Sequence, residues 1–93
     1  MERTELLNKD IAFMKEYLIP RGFEFSYCNI DGKKFPQFIQ NDSKGTLFKV
    51  YLRYGEQWRL SKRFSEWGLW SCEIGSIDES EISWLLKTCS DNY

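Results

Sequence analysis

TLFKVYLRYGEQWRLSKRFSEWGLWSCEIG, residues 46–75, decides the fold. Within it Phe48, Val50, Leu52 and Tyr54 fall on one parity, and Lys49, Tyr51 and Arg53 fall on the other. Successive side chains of a strand point to opposite faces. Thr46 to Tyr54 is therefore expected to be a strand with one apolar face and one basic, aromatic face. The stretch also holds three of the four tryptophans, Trp58, Trp67 and Trp70. Gly55-Glu56-Gln57 reads as a turn, Trp58 to Arg63 as the next strand and Leu69 to Ile74 as another. Ser65 to Gly68 reads as either a turn or a bulge between them.

Towards the N-terminus, Phe23, Phe25 and Tyr27 alternate with Glu24, Ser26 and Cys28, which again has the period of a strand. Asp31-Gly32 follows. A type I′ turn needs positive φ at both central residues, so this dipeptide predicts a tight hairpin. Lys33 to Gln40 then returns as the second strand. Pro36 lacks an N–H and places that strand at an edge or a bulge. Asn41-Asp42-Ser43-Lys44-Gly45 has the composition of a loop.

Helical spacing occupies the two ends. Leu7, Ile11, Met14 and Leu18 recur on one stripe, widened by Leu6, Phe13 and Tyr17, with Thr4 as the expected cap. Pro20 and Gly22 end this helix near Leu18 or Ile19. Asp78 and Glu81 stand at the spacing of a capping box, with Ile77 and Ile82 placed as its hydrophobic staple. Ile82, Leu85, Leu86 and Cys89 form the buried stripe that follows. Residues 1–93 are thus expected to form one α+β domain of order α-β-β-β-β-β-α. Its antiparallel meander is covered on one face by the N- and C-terminal helices. Frataxin-like domains are similar in this order of elements. Their acidic ridge has no counterpart in Glu5, Asp10 and Glu16, which interleave with Lys9 and Lys15, and no family is assigned.

Composition narrows the chemistry. The chain has 93 residues and a net charge of −1, with no apolar run near the roughly 20 residues that span a bilayer. The N-terminal stretch carries acids within its apolar pattern and lacks a signal-peptide core, so a cytoplasmic protein is expected. Cys28, Cys72 and Cys89 are widely spaced and odd in number, which reads as three reduced packing cysteines. Histidine is absent, which removes the commonest general base and most zinc-site patterns. No glycine-rich phosphate loop occurs. The carboxylates near Asp78 are accounted for by helix capping. The chain is therefore expected to be no enzyme, with no cofactor and no bound metal.

Charge is sorted along the chain. Between Lys33 and Arg63 eight cations face only Asp42 and Glu56, a net of +6 that the remaining residues offset with −7. Such sorting can give a surface of one sign on a nearly neutral protein. Lys49, Tyr51 and Arg53 should share a sheet face, joined from the next strand by Arg59 and Arg63, with Trp67 as an aromatic anchor. The plainest reading is a solvated outer face. Aromatic residues and arginine are also the usual anchors of interfaces. The functional expectation is a non-enzymatic domain that binds a larger protein through that protein's acidic surface. Inhibitor and immunity-type proteins, including those that phages encode, act in this way. The alternative is a nucleic-acid-binding module in which cations meet phosphates and rings stack on bases. No membrane association is expected.

Overall fold

The computed structural model of the chain describes residues 3–43, 45–53, 57–63 and 68–92, with the backbone alone at 3–6, 53 and 89–92. Helix α1 spans Arg3–Leu18 and runs into a 3-10 turn at Ile19–Arg21. Pro20 stops the α-helical ladder, and Gly22 closes the turn at φ 91°, donating its N–H to the Ile19 carbonyl. Thr4 lies inside α1 and is not its cap, because the helix begins upstream of the apolar stripe.

Five antiparallel strands follow in the sheet order β1-β2-β3-β4-β5. They are β1 (Glu24–Ile30), β2 (Lys33–Asp42), β3 (Gly45–Arg53), β4 (Gln57–Arg63) and β5 (Leu69–Glu73). Helix α2 (Glu79–Asn92) ends the chain's described part. Asp31 and Gly32 have φ of 52° and 78°, the backbone that a two-residue hairpin requires. Asn41, Asp42 and Gly45 are strand and not loop: Asn41 pairs with Thr46 and Asp42 with Gly45, after a bulge at Gln40/Asn41. Gln57, expected in a turn, opens β4 opposite Arg53.

Pro36 sits on an internal strand, where no edge was needed. It pairs with Tyr27 of β1, and the β2–β3 ladder begins only at Gln37↔Tyr51. The pair flanking a two-residue turn is hydrogen-bonded and alternate pairs are not, so the side of Pro36 that lacks an N–H faces β3. The ladder stops where the donor is missing.

The register sorts the strands into two faces. Phe38, Val50 and Leu60 lie in one cross-strand row, and Leu52 faces Trp58 in the next. All five are buried, together with Phe48, and Met14 and Leu18 of α1 and Ile82 and Leu85 of α2 complete the same core. Both helices therefore cover one face of the meander. Full burial of a side chain such as Phe38 contributes about 1.5–3 kcal/mol. Asp78 caps α2 as its spacing predicts. The Glu81 N–H donates to Asp78 Oδ1 at 2.8 Å and the Ser76 hydroxyl donates to Asp78 Oδ2 at 2.9 Å. Cys28 and Cys72 are free thiols; the side chain of Cys89 lies outside the described residues. Among the described residues no helix is long and apolar enough to cross a membrane.

Candidate functional site

The face opposite the helices is built by the other parity of each strand. One row reads Ser26, Gln37, Tyr51, Arg59, Glu73 across the five strands, and its neighbour reads Glu24, Ile39, Lys49, Ser61, Ser71. Arg63 pairs with Leu69 at the far end of β4. The sheet thus brings Lys49, Tyr51, Arg59 and Arg63 onto a single face. Arg53 pairs through its backbone with Gln57, and its side chain lies outside the described residues. Trp67 and Tyr54 also lie outside them.

The electrostatics of this face differ from a row of free cations. The Arg59 side chain is only 14% exposed. It makes an ion pair with Glu73 at 3.5 Å and donates from Nη2 to the Ser71 hydroxyl at 3.3 Å. Its Nε is buried with no hydrogen-bond partner. Arg63 makes an ion pair with Asp42 and donates from Nη1 to the Thr46 carbonyl at 3.1 Å, tying β4 to the β2–β3 turn. Two of the basic residues are therefore spent on the protein's own carboxylates. Lys49 is different: its ammonium lies 5.0 Å from the Tyr51 ring centroid, and among the described residues no acid pairs with it. Lys62 was counted with the basic stretch, yet it belongs to the helix-covered face at 7% exposure, its ammonium 5.4 Å from the Phe48 ring centroid.

Between these groups the face is in part apolar. A shallow groove of about 410 Å³ crosses it from β1 to β5. Ile39, Leu47 and Leu69 supply its aliphatic lining, Cys28, Gln37, Thr46 and Ser61 its small and polar lining, and Lys49 and Arg63 its cations. Leu69 is 75% exposed, the most exposed of the large hydrophobic residues described. Sequence reading missed this apolar half. Ile39, Leu47 and Leu69 do alternate with core residues in their own strands, but only the fold brings them to one groove, where Arg63 of β4 pairs with Leu69. Among the described residues no three of Cys, Asp and Glu gather as metal ligands would. The chain matches no protein-family model, no curated protein and no solved structure.

Proposed function

We propose that this chain is a small protein-binding domain, without catalytic chemistry of its own, that covers a functional surface of a larger protein in the cytoplasm. The observation that carries this reading is the groove on the helix-free face, where Ile39, Leu47 and Leu69 line the same hollow as Lys49, with which no acid among the described residues pairs. Contiguous exposed apolar surface rimmed by polar groups marks interaction sites. A partner that fits presents an apolar ridge with a carboxylate opposite Lys49. Inhibitors and immunity proteins act by such occlusion. The nucleic-acid reading is less well supported. A strand-tracking surface needs cations free for phosphates and rings free for bases. Here Arg59 and Arg63 are held by Glu73 and Asp42, and the groove is lined by aliphatic side chains.

Capture from the native host's lysate, with and without nuclease, tests the reading against its alternative. The partner is expected to survive nuclease. Lys49→Glu and Leu69→Lys are expected to keep the fold, since surface changes usually stay within about 0.5 kcal/mol, and to abolish capture by charge repulsion and loss of apolar contact. Tyr51→Leu should bind nearly as well as wild type. A partner retained equally by wild type and both groove variants, or lost on nuclease treatment, would sink the proposal.

A further inference from the structure

We infer that the outer edge of β1 pairs with β1 of a second copy of this chain, the two strands running antiparallel about a two-fold axis at Tyr27 and joining two five-stranded sheets into one. This edge is separate from the groove reading, and either can fail without the other.

The sheet ends at β1 and β5. Strand β5 has five residues, whereas β1 has seven and pairs with β2 at every one of them. Natural proteins blunt exposed edges with proline, lysine, bulges or very short strands, because an unpaired edge is a template for another strand. In β1, EFSYCNI, there is no proline, no lysine and no bulge, and Glu24 is its one charge. The backbone geometry says which groups are on offer. Ile30↔Lys33 flanks a two-residue turn, so Ile30, Cys28, Ser26 and Glu24 exchange hydrogen bonds with β2. The N–H and C=O groups of Phe25, Tyr27 and Asn29 then point away from β2. Among the described residues no strand lies on that side. Tyr27 and Ile30 are 57% and 47% exposed there.

A second copy matches this edge in both geometry and charge. Antiparallel pairing centred on Tyr27 sets Tyr27 against Tyr27, and Phe25 against Asn29 of the second copy. Every outward-facing residue then meets an outward-facing residue, as hydrogen-bonded pairs require. Tyr27 is the middle residue of β1, so this register uses the whole strand. Glu24 meets Ile30 of the second copy and not its own equivalent, with that copy's Lys33 one strand further on, so like charges stay apart. On the core side Tyr27 already packs edge-on against Phe25 at 5.1 Å. A second Tyr27 beside it extends the aromatic row and covers the exposed ring.

The register can be tested directly. It sets Ser26 opposite Cys28 of the second copy in a non-hydrogen-bonded pair, with Cα atoms about 4.5 Å apart. That falls within the roughly 4.4–6.8 Å that a disulfide tolerates. Ser26→Cys, oxidised with glutathione disulfide as the electron acceptor, is expected to give a covalent dimer whose peptide map links position 26 to Cys28 of the other chain. Wild type is expected to sediment at twice the monomer mass as concentration rises. Tyr27→Lys, which sets two cations against each other on the axis, is expected to sediment as a monomer with unchanged circular dichroism. Should that variant not fold, the wild-type mass and the Ser26→Cys linkage decide. A wild type that stays monomeric into the millimolar range, a dimer that survives Tyr27→Lys, or oxidation that yields no Cys28 linkage between chains overturns the inference.

Discussion

Asp10 sits on α1, where its carboxylate accepts a hydrogen bond from the side chain of buried Trp58. Burial nevertheless raises its pKa above the ordinary aspartate value, against the opposing pull of that bond and of Lys9. Asp78 is displaced the other way. The Glu81 N–H, then the Ser76 hydroxyl and the Ser80 N–H, hold its charged form and lower its pKa. The two residues pull acid stability in opposite directions. The folded state holds the Asp10 proton more tightly than the unfolded state, so Asp10 costs stability as pH rises through its range. The folded state holds the Asp78 proton less tightly, so Asp78 adds stability above the unfolded pKa and loses it as pH falls through the lowered one. Asp10→Asn keeps an acceptor for Trp58 and should remove the first slope. Asp78→Asn keeps a good helix cap and should remove the second. Urea midpoints followed from neutral pH down through the carboxylate range check both. Profiles parallel to wild type for either variant would show that its aspartate is not displaced as described.

At the scale of elements, two glycines separate backbone cost from packing cost. Gly32 has φ 78°, and a Cβ added there meets nothing within 4 Å. Gly32→Ala should therefore cost only the left-handed backbone term of about 1–2 kcal/mol. Gly22 has φ 91°, and its added Cβ would stand 3.2 Å from Gln40 Nε2. That amide donates to the Arg21 carbonyl at 2.7 Å and ties the 3-10 turn after α1 to β2. Gly22→Ala should cost more than Gly32→Ala in urea denaturation; the reverse order would mean the tie contributes nothing. The hairpin turn at Asp31-Gly32 and the cap at Asp78 were legible because each is a local signal with one backbone solution. The strand pairing of Asn41, Asp42 and Gly45 was not. These residues prefer a loop, but Arg63 reaches over from β4 to Asp42 and the Thr46 carbonyl and draws the ladder out to the turn.

Over the whole molecule, the two described thiols report on the two faces of the sheet. Cys72 lies in the row of Leu60 under the helices, and burial raises its pKa, with Glu81 adding to the rise and Arg59 opposing it. Cys28 lines the groove on the open face. A thiolate is the reactive form, so iodoacetamide should modify Cys28 before Cys72 in the folded protein and both alike in urea. Mass mapping of the alkylated sites checks this, and equal native rates would mean that the helices do not shield their face. The sequence by itself determined the α+β class, the meander order and the apolar parity of β3, because side-chain alternation and turn chemistry act over a few residues. It also placed Lys49, Tyr51, Arg59 and Arg63 on the open face, and only the tertiary structure decided what those groups meet there. The bulge at Gln40/Asn41 and the start of the β2–β3 ladder after Pro36 set the register. That register brings Ile39, Lys49 and Ser61 into one row, commits Arg59 and Arg63 to Glu73 and Asp42, and turns Lys62 inward. A row across five strands depends on every turn and bulge between them, and a shift of one residue at any of them sends a side chain to the other face.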